Sequence, residues 1–273
     1  MILSSSPPLH LTYCLNIHPG ETWAENFAAV REKAMRVRRA VAPARSFGLG
    51  LRLSNEAAVE LSDPGTLADF REFLAANDLY VFTINGFPHG RFHGTGVKED
   101  VYRPDWRTPE RRDYTIRLTD ILAALLPEGV TGSISTVPGS YRSWIRTPDD
   151  VKQMCRMLAE AALHAAATLD ETGRDICIAL EPEPDCFIES TDEAVAFFAE
   201  TLPAAAGGLA DRLGVPPDHV ARALSRHLGV CFDTAHAAVQ FEEPAESLGR
   251  IASAGVRVGK VQLSAALRLR PTS

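Results

Sequence analysis

ICIALEPEPD, residues 176–185, is the stretch whose reading decides the fold. Five apolar residues run into Glu181, and Pro182 and Pro184 then suppress helix in an acidic loop. That length and composition suit a buried strand. Side chains alternate along a strand, so Ile176, Ile178 and Leu180 share one face while Cys177, Ala179 and Glu181 share the other. LGVCFDTAH, residues 228–236, repeats the pattern: Leu228, Val230 and Phe232 oppose Gly229, Cys231 and Asp233. One face is large and apolar. The other is small and ends in a carboxylate.

Working outward, five more short apolar segments read as strands, near 11–17, 47–53, 79–85, 131–137 and 256–263. Phe47, Leu49, Leu51 and Leu53 oppose Gly48, Gly50 and Arg52. Tyr80, Phe82 and Ile84 oppose Val81, Thr83 and Asn85. Tyr13, Leu15 and Ile17 oppose Cys14, Asn16 and His18, and Val261 and Leu263 oppose Lys260 and Gln262. Helical patterns lie between the strands. Thr22 and Glu25 form a capping box ahead of Trp23, Phe27 and Val30; Asp63-Pro64, Thr108-Pro109 and Thr147-Pro148 open three more helices; Ser190 and Glu193 open another; 203–226 is helical around a turn at Gly214–Pro217.

Strands alternating with helices imply a parallel sheet with right-handed crossovers. An open doubly wound sheet is covered by helices on both faces and should be apolar on both. One large apolar face and one small, polar-tipped face favour a (β/α) TIM barrel, with the polar tips gathered at its C-terminal mouth. Seven strands are counted where closure uses eight, so the reading is a single barrel domain over 1–273 that is incomplete at the C-terminus, with the eighth strand missing.

The composition narrows the function classes. The chain has 273 residues, 28 basic and 35 acidic side chains and a net charge of −7. That excess argues against nucleic acid, whose phosphates are held by Lys and Arg. No long apolar run predicts membrane insertion, and the first residues do not resemble a secretory signal. Five cysteines without a CxxC pair read as reduced thiols in a cytoplasmic protein. There is no GxGxxG, P-loop, GxSxG or HExxH to support a nicotinamide, kinase, serine-hydrolase or zincin reading.

The residues that could carry chemistry sit at the strand ends. Glu181, Glu183 and Asp185 are three carboxylates in five residues, which repel one another unless a proton or cation intervenes. Asp233 ends another strand, and His236 three residues later returns to the same side; the plainer alternative is an Asp cap with a His in the first helical turn. Carboxylate and imidazole donors suit Mn, Mg, Co or Zn. Lys260 and Gln262 face inward on the last strand. His18, Arg52, Asn85, His89 and His93 are further mouth candidates for contact with a small-molecule metabolite, the last three in a glycine-rich polar loop.

These residues resemble the xylose isomerase-like barrel superfamily, which holds sugar isomerases and epimerases and a DNA-repair endonuclease. More closely, LTYCLNIHPGE (11–21), FGLGLRLS (47–54), LYVFTINGFPHGRFHG (79–94), LPEGVTGSISTVPGSY (126–141), LEPEPDC (180–186), LGVCFDTAH (228–236) and KVQLSAAL (260–267) resemble the EboE family of metabolite-traffic proteins. The resemblance implies metal ligands at Glu181 and Asp233, a substrate-contacting His at His236, and Gln262 or Lys260 where the superfamily often has a third-ligand His. It places a second ligand Glu on an eighth strand, beyond this sequence. Two readings follow. One is a metal-dependent sugar isomerase or epimerase with Glu181 and His236 as catalytic groups, Glu181, Asp233 and Gln262 on the metal, and His18, Arg52, Asn85, His89, His93, Glu183 and Lys260 on substrate. The other is a non-catalytic barrel for metabolite binding or trafficking. An incomplete barrel has two open strand edges, which a second copy of the chain would be a candidate to cover. A nuclease reading lacks the basic groove and the histidines of a multi-zinc site.

Overall fold

The computed structural model describes residues 1–90 and 98–265. The described residues hold nine strands: β1 (Ile2–Ser5), β2 (Pro8–His10), β3 (Thr12–Cys14), β4 (Phe47–Arg52), β5 (Leu79–Asn85), β6 (Gly132–Thr136), β7 (Ile176–Leu180), β8 (Leu228–Asp233) and β9 (Val258–Gln262). β1 and β2 pair antiparallel as a separate hairpin. β3 to β9 form one sheet in chain order, every neighbouring pair parallel. All seven sheet strands match the segments expected from sequence.

The sheet is curled into a half-barrel. β6 and β9 are three strands apart, roughly 14 Å across a flat sheet. Yet Lys260 Nζ on β9 lies 3.1 Å from Ser135 Oγ on β6. That contact requires the inward faces to bend toward one another, as in an α/β TIM-barrel fold. β4, β6, β7 and β8 are buried throughout, whereas β3 and β9 are only partly so, because each has one edge with no partner strand among the described residues.

Helices cover the outer face. The β3–β4 connection carries Trp23–Ala29, a π-helical turn Val30–Ala34 and Met35–Val41; Pro64–Ala76, Pro109–Leu125, Pro148–Thr172, Pro217–His227 and Pro244–Ser253 precede β5, β6, β7, β8 and β9. The capping boxes at Thr22/Glu25 and Ser190/Glu193 form as read, and Thr147 and Asp150 form a third. Each such cap stabilises its helix by about 1 kcal/mol. Between helices and sheet lie two apolar clusters, one around Leu49, Leu51, Val81, Ile84 and Ile134, the other around Ile178, Leu180, Val230 and Phe232. Each fully buried aliphatic side chain there contributes about 2 kcal/mol. On the inner face, Cys177, Ala179 and Cys231 form a small cluster of their own.

Four features depart from the sequence reading. The Pro-rich start forms the β1–β2 hairpin, which underlies the barrel floor: His10 Nδ1 lies 3.1 Å from Tyr80 Oη, and its ring also meets Phe82. A bulge breaks the alternation in β5, where pairing passes from Leu49↔Val81 to Gly50↔Thr83 and skips Phe82. Tyr80 and Phe82 therefore turn inward over the hairpin, and Ile84 joins Val81 on the outer core, opposite to the strict two-residue period. The first strand ends at Cys14, because Leu15–Ile17 is a 3-10 turn. A short helix, Asn55–Leu61, follows Ser54 as its cap. Among the described residues no helix is long and apolar enough to cross a membrane.

Candidate metal centre

β7 and β8 place Glu181 and Asp233 at the mouth, as their parity requires. Glu181 directly follows β7, its N–H donating to Thr136 O at 3.0 Å, and its side chain is buried. Asp233 ends β8 and caps the helix Thr234–Val239: Oδ1 accepts from Ala235 N at 2.7 Å and His236 N at 3.3 Å. The capping role and the site are thus not alternatives. One carboxylate oxygen holds the helix, and Oδ2 faces Gln262 Nε2 at 2.9 Å and Ser264 Oγ at 2.8 Å.

That first helical turn brings His236 back over β7. Its Nδ1 lies 3.0 Å from Pro182 O and 3.9 Å from Glu181 Oε1. A carbonyl only accepts, so Nδ1 is the donor there and Nε2 is the ring nitrogen left for a ligand. Glu181, Asp233 and His236 each offer a ligand atom, all within 4.8 Å of one another. Gln262 joins them, its Nε2 also 3.5 Å from Glu181 Oε1. Two buried atoms here have no hydrogen-bond partner, Glu181 Oε2 and Gln262 Oε1. Two carboxylates and an imidazole, with an orphaned carboxylate oxygen among them, fit a divalent cation with mixed oxygen and nitrogen preference.

Burial pushes the Glu181 carboxyl up to about 7; Lys260 and His236 pull it down, and Asp233 and Glu183 add to the rise. Lys260 lies deeper, paired in register with Cys231 where Gln262 pairs with Asp233. Burial lowers its pKa, but Cys231, Cys14, Glu181 and Asp233 outweigh that and leave it raised.

The other mouth candidates are not brought to this cluster. Arg52 is buried, donating to Gly20 O, to Gly90 O at 2.8 Å and to both Glu21 oxygens at 3.2 and 3.3 Å. It ties two loops together, which leaves only Nε without a partner. His18 Nε2 lies 2.9 Å from Tyr13 Oη, because the 3-10 turn carries it away from the strand parity assumed for it. Asn85 is buried at the end of β5, with Oδ1 accepting from Phe87 N at 3.1 Å. His89 packs edge-on to Tyr114; burial, with Arg111 and Arg117 nearby, lowers its pKa to about 4, so it is neutral. The Glu183 side chain bonds with the Tyr102 hydroxyl. His93 lies outside the described residues.

Ser135 and Ser264 were not singled out from sequence. Their signals were inward parity on β6 for Ser135 and a position two residues past the last inward strand residue for Ser264.

No protein-family model matches the sequence, and no curated protein matches it. Solved structures do. The IolI protein with a bound zinc atom superposes with a TM-score of 0.48 at 11% identity, over 90% of this chain and 70% of that one. The apo form of the E. coli 3-keto-D-glucoside 4-epimerase YcjR gives a TM-score of 0.47 at 12% identity, over 96% of this chain and 93% of that one.

Proposed function

We propose that this chain is a divalent-metal-dependent barrel of the sugar isomerase or epimerase type, acting on a small polyhydroxy metabolite. Glu181, Asp233 and His236 would hold the metal, with the Gln262 side-chain oxygen as a further donor. The observation that carries the reading is the buried Glu181 Oε2, which has no hydrogen-bond partner and sits in a cluster of three potential ligands. A bound cation would polarise substrate oxygens and acidify the adjacent carbon-bound hydrogen. In the metal-free protein burial holds the Glu181 carboxyl up to about 7; a bound cation would displace that proton and keep Glu181 an ionised carboxylate, able to accept a proton from substrate. With Nδ1 donating to Pro182 O, the Nε2 lone pair of His236 would go to the cation. His89 and Glu183 on the surrounding loops, and Asn85 at the end of β5, are candidate substrate contacts.

A second reading has its own observation. The Gln262 amide already donates to Asp233 and Glu181, so a neutral group joins the two carboxylates without a metal. This favours a barrel that binds a metabolite without turning it over, in line with the resemblance to EboE-type trafficking proteins. Incubation with Mn²⁺ or Co²⁺ and a panel of aldoses, ketoses and their acids separates the two. Metal-dependent interconversion that is lost in Glu181→Gln supports the enzyme. Binding across the panel with no turnover supports the second reading.

A further inference from the structure

We propose that Lys260 is an anion anchor beneath the metal cluster, and that the ligand is therefore a polyhydroxy carboxylate, a sugar acid, rather than a neutral sugar. This rests on the mouth being a ligand site, as proposed above, but assigns a group that the metal reading does not use.

The argument begins with what Lys260 lacks. An ammonium has three donors. Lys260 Nζ donates to Ser135 Oγ at 3.1 Å, and among the described residues no carboxylate lies within 4.0 Å of it. It projects into the barrel interior from the inward face of β9. The Ser135 hydroxyl fills one of its three donor positions, and the Glu181 and Asp233 carboxylates act on it only from beyond ion-pair distance, which leaves donors for a ligand. The arginines of the mouth loops are differently placed. Arg52 is engaged by Glu21 and two carbonyls, Arg111 by the carbonyls of Pro104, Gly86 and Phe87, and Arg107 by Asp105 and Asp150.

The second observation is the size of the neighbours. Barrel interiors are usually filled by layers of Val, Ile and Leu. Around Lys260 the inward positions are Ser135, Cys177, Ala179, Cys231 and Gly259. A Cβ on Gly259 would come within 2.6 Å of Cys177 Sγ, so the backbone itself approaches closely there. None of these positions sets a bulky side chain against the ammonium.

The third is charge. One ammonium and one hydroxyl match a monoanionic carboxylate. A phosphate dianion would need more donors than one ammonium and one hydroxyl, and Glu181 and Asp233 near Lys260 would repel a second negative charge. A metabolite with hydroxyls toward the Glu181–Asp233–His236 cluster and a carboxylate toward Lys260 satisfies both ends.

The test is calorimetric binding of matched pairs, D-glucuronate against D-glucose and D-gluconate against sorbitol, to the Mn²⁺-equilibrated wild type, Lys260→Met and Lys260→Gln. Each acid should bind the wild type about tenfold or more tighter than its neutral partner. In both variants that ratio should fall toward one while the neutral compounds keep their affinity. A ratio near one in the wild type, an unchanged ratio in the variants, or no measurable binding of either acid overturns the proposal. Equal weakening of acid and neutral ligands would mark Lys260 as structural and also overturn it. Metal content is measured on the same samples. If Glu181→Gln keeps its metal while the acid preference still follows Lys260, the metal reading fails and the anchor stands.

Discussion

Gln262 places its amide nitrogen 2.9 Å from Asp233 Oδ2, so a neutral donor bonds one carboxylate of the candidate metal pair and reaches toward the other. Gln262→Glu exchanges that donor for a third carboxylate. In EDTA the variant should be less stable by roughly 1–3 kcal/mol, because a bond is lost and like charges are gathered. With Mn²⁺ it should gain more stability than the wild type does. Thermal unfolding with and without the ion checks both signs; equal Mn²⁺ shifts in the two proteins would count against a cation site.

Glu181 sets a pH dependence. Burial is the main cause of its rise from 4.5 to about 7. The folded state therefore holds that proton more tightly than the unfolded chain does. Metal-free stability should fall as pH rises from about 4.5 to about 7, by on the order of 3 kcal/mol from this group. Glu181→Gln should lack that slope, so its urea-unfolding curve should cross from less to more stable relative to wild type. Divalent affinity should rise over the same window, because metal and proton compete for the carboxylate. Parallel pH profiles for the two proteins would show that Glu181 does not titrate as a buried acid.

Gly259 is required by the bulge in β9, where pairing steps from Val258 to Lys260. An added Cβ meets Cys177 Sγ at 2.6 Å and Ala179 Cβ at 3.3 Å. Gly259→Ala should destabilise by about 1–3 kcal/mol through overpacking. Adding Cys177→Ala removes the sulfur and should recover part of the loss, read as a coupling in a double-mutant cycle. Strict additivity would mean that the contact is not the cause.

Arg52 is a support for the mouth loops. Replacing it by Met removes the guanidinium donors from the carbonyls of Gly20 and Gly90 and from the Glu21 carboxylate. The loss should be about 3–5 kcal/mol, as for other broken buried pairs. A change below about 1 kcal/mol in urea unfolding would place Arg52 among surface charges instead.

The strand order and the mouth were legible in the sequence because β4, β7 and β8 carry a full alternating pattern, and because Asp-Pro, Thr-Pro and Ser-x-x-Glu punctuate the helices with local chemistry. What escaped was non-local. Phe82 turns inward only because a bulge shifts the register against β4, and no run of β5 residues announces a bulge. The hairpin at Ile2–His10 is held by Tyr80 and Phe82, far along the chain. Arg52 has the inward parity expected of it, but Glu21 and two carbonyls claim its donors, and parity says nothing of partners. Glu181 and Asp233 were found at strand ends because a carboxylate closing an apolar strand is a local signal. The hydroxyls of Ser135 and Ser264 look like ordinary serines until the sheet curls.

The most direct measurement is metal stoichiometry by elemental analysis, on wild type and Glu181→Gln purified without chelator, equilibrated with Mn²⁺ or Zn²⁺ and desalted. A cation held by Glu181, Asp233 and His236 predicts about one ion per wild-type chain and nearly none on the variant, with both proteins folded by circular dichroism. A metal-free wild type, or equal metal on the two proteins, would contradict it.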